Sequence, residues 1–156
     1  MALNQNLTLN YARTSLPANT DINTFLQDVA EKLYPAYIDL IALTSWTASG
    51  AGATVSQSTV LTTKSGTTNA PSFVSPVFDA LETQKTLHIT GTITANWGNM
   101  NIDAKVNGTW SNRMNKAING SMNENVTLPQ GTTQIRITGF AAVNNATDTY
   151  TVIRIQ

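Results

Sequence analysis

The sequence predicts a mainly β protein: a jelly-roll-like antiparallel β-sandwich behind a short N-terminal α-helical segment and an extended arm. Three observations carry this. Residues 86–97 read T-L-H-I-T-G-T-I-T-A-N-W, with apolar and hydroxyl residues alternating at the period of a strand that buries one face. About eight such segments succeed one another beyond Trp46, with Gly, Pro and Asn turns roughly every 8–12 residues. The composition fits: 25 Thr and 17 Asn stand against nine basic and nine acidic residues, so hydroxyls and amides carry the surface.

The elements follow in order. Residues 1–18 form a polar arm in which Leu7, Leu9 and Tyr11 alternate, and Pro17 breaks the run. A helix comes next. Thr20 is an N-cap, Asp21 suits the positive end of the helix dipole, and Ile22, Phe25, Leu26, Val29 and Leu33 recur at helical spacing. Asp28, Glu31 and Lys32 take the other face, and Pro35 ends or kinks the helix. Residues 37–43 fit either a second short helix or a buried strand, since a short apolar run does not choose between them. Trp46 reads as a packing hinge, and the Gly/Ala/Ser/Thr tract at 47–55 as a loop.

Strands are expected at 59–63, 72–78, 85–95, 100–106, 109–113, 125–128, 133–140 and 149–155. Asn107-Gly108 fits a two-residue type I′ hairpin turn, and Asn119-Gly120 is a weaker case because 113–118 could form a helical turn. Pro129-Gln130-Gly131 is a further turn. The expected organisation is an attachment or oligomerisation segment at 1–46, a linker at 47–55 and a β-sandwich at 56–156.

Charge and composition exclude several classes. With basic and acidic residues balanced, no cationic stripe matches a nucleic-acid backbone or an anionic membrane. Cysteine is absent, which removes disulfides, thiolate metal sites and thiol nucleophiles. His88 is the single histidine and falls on the Thr face, so neither a nucleophile–His pair nor a His-based zinc site is expected. Asp103 and Asp148 could serve an oxygen-only calcium site, and Asp79, Glu82, Asp103, Glu124 and Asp148 supply carboxylates for acid–base work, but no spacing marks either. The expectation is a protein with no catalytic residue, metal or cofactor. No run is apolar and long enough to span a bilayer, and residues 1–6 show no secretory pattern.

Aromatic residues are the better lead. Trp97 opens a loop, W-G-N-M-N, and Asn99, Asn101 and Arg113 lie close to it in the predicted layout. An indole face covers the apolar side of a pyranose while amides and a guanidinium bond its hydroxyls, so Trp97, Asn99, Asn101 and Arg113 form the candidate glycan site. Trp110, following a hairpin turn, is expected in the core.

Two phrases resemble the galactose-binding-like jelly roll of many carbohydrate-binding modules: F-V-S-P-V-F-D at 73–79, and L-P-Q-G at 128–131 followed by I-R-I at 135–137 and V-I-R-I at 152–155. The layout, an arm and helix ahead of a Thr/Asn-rich β domain, is similar in style to bacteriophage virion proteins. That likeness implies a non-enzymatic capsid-decoration, head-fibre or adsorption component, made in the host cytoplasm and located in the virion. Ile22, Phe25, Leu26, Val29 and Leu33 would then attach to other virion proteins or form a homo-oligomer, a trimer by preference. The alternative is a carbohydrate-binding module for host-surface or polysaccharide glycans.

Overall fold

A computed structural model describes residues 37–66, 70–79, 86–94, 99–139 and 145–156. The chain divides into two units, Met1–Pro35 and Ala36–Gln156, and all the described residues lie in the second. The expected arm, the helix and its apolar stripe therefore fall outside the described residues.

Among the described residues every regular element is a β-strand: β1 (Ile38–Asp39), β2 (Thr47–Ser49), β3 (Thr54–Gln57), β4 (Leu61–Lys64), β5 (Ser72–Val74), β6 (Thr86–Ile93), β7 (Asn99–Val106), β8 (Thr109–Ala117), β9 (Gly120–Thr127), β10 (Thr132–Gly139) and β11 (Thr147–Ile155). They form two antiparallel sheets. The first runs β3-β4-β11-β6-β9 with β1 added on β11, and the second runs β2-β5-β10-β7-β8. From β4 onward the chain passes to the other sheet at every connection except the β7–β8 hairpin. One apolar core joins the sheets, with Leu61, Leu87, Ile89 and Ile153 from the first meeting Phe73, Met100, Ile102, Ile135 and Ile137 from the second.

The Thr-rich alternation reads directly onto β6. Leu87, Ile89 and Ile93 are buried, while Thr90, Thr92 and His88 face outward. Gly91 interrupts the pattern for a steric reason. A Cβ there would lie 2.3 Å from the Thr149 carbonyl oxygen and 2.9 Å from Tyr150 Cα, beside the bulge in β11. The Asn107-Gly108 turn also holds: both residues have positive φ, 49° and 81°, and Val106 pairs with Thr109.

Four local expectations are corrected. Residues 37–43 are neither a helix nor a full strand. β1 stops after two residues, the Ile41 amide donates to Asp39 Oδ1 at 3.0 Å, and the resulting turn drives Leu40 and Ile41 into the core. The tract at 47–55 is not a linker throughout, because β2 pairs with β5 and β3 with β4 across it. Both are short edge strands that set only Ala48 and Val55 against the core, so hydrophobic alternation does not announce them. Residues 113–117 continue β8 instead of making a helical turn. Asn119-Gly120 is no hairpin: β8 and β9 belong to different sheets, and buried Ile118 with Gly120 at φ 86° carries the chain over the sandwich edge. Trp46 is buried, and its indole N–H donates to the Leu40 carbonyl at 2.8 Å.

Candidate binding face on the second sheet

Burial fixes which side of the second sheet meets solvent. Met100, Ile102 and Ala104 of β7 and Ile135 and Ile137 of β10 point into the core. Their neighbours Asn101, Asp103, Lys105, Gln134, Arg136 and Thr138 therefore point outward. Register then builds three rows across the strands. Trp110 pairs with Lys105, which pairs with Gln134. Asn112 pairs with Asp103, which pairs with Arg136 and, beyond it, Val74 and Thr47. Asn115 pairs with Asn101, which pairs with Thr138, then Ser72 and Ser49.

Side-chain bonding ties these rows into one arrangement. Arg136 donates through Nε and Nη2 to Asp103 Oδ2 at 2.9 and 2.8 Å, and Asn112 Nδ2 donates to Asp103 Oδ1 at 3.0 Å. The Asp103 carboxylate is thus bracketed on both oxygens and buried beneath its partners. The Arg136 guanidinium carbon lies 4.7 Å from the Trp110 ring centroid, and Lys105 Nζ lies 5.5 Å from it. Each cation–π contact contributes on the order of 0.5–1 kcal/mol at a half-exposed site, enough to bias the rotamers of both cations toward the indole. Lys105 Nζ donates to Gln134 Oε1 at 3.1 Å, and Gln134 Nε2 donates to the Ser75 carbonyl at 3.0 Å. Ser72 and Thr138 bond hydroxyl to hydroxyl at 3.1 Å. Asn101 Oδ1 is shielded and has no hydrogen-bond partner.

The predicted site residues separate. Trp97 lies outside the described residues. Asn99 and Asn101 share the outer face of β7. Arg113 does not join them. It is the extra residue of a β-bulge opposite Ile102 and Asp103, and its Nη2 donates to Ser111 Oγ at 2.6 Å. With Met114, Glu124, Val126, Leu128 and Pro129 it lines an open cleft of about 490 Å3 at the β8–β9 edge.

Trp110 corrects the expectation that it is core. It is half-buried on the outer face, because the two-residue turn fixes the register and sets it opposite Lys105. That signal was available in the sequence, since Lys105 alternates with Ala104 and Val106. Gln134 and Arg136 were not foreseen beside Trp110 for want of the β7–β10 neighbour relation, which no local pattern contains.

The remaining chemistry-bearing residues lie elsewhere. His88 Nδ1 meets Asn125 Oδ1 at 2.9 Å on the outer face of the first sheet. Asp148 belongs to the first sheet and Asp103 to the second, and among the described residues no three His, Asp or Glu side chains gather into a metal site. Asp148 Oδ1 accepts from the Thr94 amide at 3.0 Å. Burial, and then the nearby Asp148 carboxylate, hold the Tyr150 hydroxyl well above its ordinary pKa. Arg154 stacks 4.4 Å from the Tyr37 ring centroid, 4.0 Å from Asp39.

No family model matches the chain, and no curated protein matches its sequence. Solved structures do match the fold. Two mutant forms of CBM29-2, a family 29 carbohydrate-binding module, superpose with TM-scores of 0.52 and 0.50 at 11% identity, covering 78% of this chain and 91% of theirs. PfGH50B gives a TM-score of 0.52 at 11% identity over 74% of this chain and 22% of its own. At this identity the likeness shows the fold. It is a two-sheet β-sandwich shared with carbohydrate-binding modules.

Proposed function

We propose that the β unit is a non-catalytic carbohydrate-binding module of jelly-roll type, and that it binds glycan on the outer face of the second sheet. The observation that carries this is Trp110, held half-exposed on a strand face beside Lys105, Arg136 and a row of amides. An indole in a core would need no such surroundings. A sugar-binding indole does, because its ring takes the apolar face of a pyranose while fixed polar groups bond the hydroxyls around it. The fold likeness supports this reading over the particle-component expectation. The neighbouring CBM29-2 structures carry single arginine-to-alanine and lysine-to-alanine changes made to probe ligand recognition, so basic side chains are of interest for glycan binding in that module too.

The test is a polysaccharide screen with the full chain, Trp110→Ala, Trp97→Ala and Arg113→Ala. Trp110→Ala should lose at least tenfold in affinity for any glycan retained, while Arg113→Ala should stay within about twofold. Retention that survives Trp110→Ala and is lost in Trp97→Ala would return the site to the 97–101 loop.

A further inference from the structure

The charges on the proposed binding face do not cancel. Arg136 is committed to Asp103 by two hydrogen bonds, and Asn112 holds the other carboxylate oxygen. Among the described residues Lys105 has no such counter-ion. Its ammonium bonds a neutral amide, Gln134 Oε1, and the ion pairs among the described residues are Lys116–Glu124, Arg136–Asp103 and Arg154–Asp39. Two cations and one carboxylate therefore surround Trp110, in a chain whose formal net charge is zero. The excess is local to this face and is not a reflection of a basic protein.

The two cations also differ in freedom. The guanidinium is fixed by its bonds to Asp103, whereas the ammonium ends a flexible four-carbon stem held by one neutral hydrogen bond and the 5.5 Å contact with Trp110. Turning it toward a ligand gives up one part-buried amide hydrogen bond and a long cation–π contact with Trp110. An anionic group on a sugar at Trp110 would regain that loss as a charge-assisted bond.

Resting on the carbohydrate-binding reading, we infer that the Trp110 face prefers acidic glycans, with Lys105 the specificity residue that meets the carboxylate or sulfate of the sugar. Trp110 supplies affinity that is indifferent to charge. Lys105 supplies the discrimination, because an acidic sugar gains an ion pair that its neutral counterpart lacks. For a pair left partly in water the gain is about three- to fivefold in affinity. It falls with salt, since the screening length shrinks from about 10 Å at 0.1 M to about 3 Å at 1 M.

The experiment compares the full chain, Lys105→Gln and Trp110→Ala on four probes: a uronic-acid oligosaccharide, the same oligosaccharide with its carboxylates methyl-esterified, a sulfated galactan oligosaccharide and its desulfated form. Titrations are run at 20 mM and 500 mM NaCl, with melting temperatures to confirm that each variant folds. The full chain should bind at least one acidic probe about three- to fivefold better than its neutral form at low salt. That advantage should vanish at high salt and in Lys105→Gln, which should bind the acidic and neutral forms alike, and Trp110→Ala should lose both. The uronate and sulfate arms identify which anion is preferred. Neutral and acidic forms bound equally, and through Trp110, would overturn the acidic preference and leave the binding face standing. Acidic binding that survives Trp110→Ala would mark non-specific charge attraction and overturn it as well. Failure to bind any probe, after the polysaccharide screen has also failed, would remove both proposals together.

Discussion

Single residues decide more here than the composition suggests. Gly91 is required by the Thr149 carbonyl, which leaves 2.3 Å for a Cβ in the middle of the first sheet. Gly91→Ala should therefore cost about 2–3 kcal/mol of stability in urea unfolding, since backbone rather than a mobile side chain must move. Loss of under about 0.5 kcal/mol would show that β11 yields freely at its bulge. Tyr150 makes a prediction in pH. Its hydroxyl titrates above the ordinary 10.0 in the folded state, so beyond pH 10 the unfolded chain gives up a proton that the native chain keeps. Stability contributed by this group is present below pH 10 and is lost as pH rises toward the folded value, at about 1.4 kcal/mol per pH unit. Tyr150→Phe should flatten that alkaline fall between pH 9 and 11 in denaturant titrations, and an unchanged slope would assign the fall to other groups.

At the scale of elements, the sequence was legible where burial is one-sided. β6 alternates strictly enough that its apolar face, Leu87, Ile89 and Ile93, is the buried one in sequence and structure alike. The sequence was illegible where a short edge strand sets a single apolar residue against the core, as Ala48 does in β2 and Val55 in β3. Turn chemistry was half legible. Asn-Gly at 107–108 makes the hairpin its type demands, while the same dipeptide at 119–120 carries β8 out of one sheet and into β9 of the other. Which strands become neighbours is a property of the whole chain, and this hid the proposed binding face. Arg136 lies 33 residues from Asp103, and only the β7–β10 pairing brings the guanidinium onto Trp110. Arg113 lies apart from Asn99 and Asn101 for a local reason, the bulge that turns it to the sandwich edge.

For the whole molecule, the β unit begins before the boundary the sequence suggested. β1 pairs with β11, and Leu40, Ile41 and Trp46 are core residues, so a chain shortened to Thr47 would lose part of its interior. A fair test of the N-terminal segment starts the chain at Ala36 instead. If Ile22, Phe25, Leu26, Val29 and Leu33 form an assembly surface, light scattering should give an oligomer, a trimer by expectation, for the full chain and a monomer for the shortened one. Monomers in both would confine the protein to one binding face per particle in solution, without the gain from multivalency.

The most direct measurement is a map of backbone and indole amide shifts in the full chain, titrated with the oligosaccharide best retained in the screen. Binding on the outer face of the second sheet predicts the largest shifts at Lys105, Trp110, Asn112 and Arg136, with the Trp110 indole N–H among them. Shifts confined to Arg113 and the 124–129 cleft, or to Tyr37, Asp39 and Arg154 on the first sheet, would contradict it.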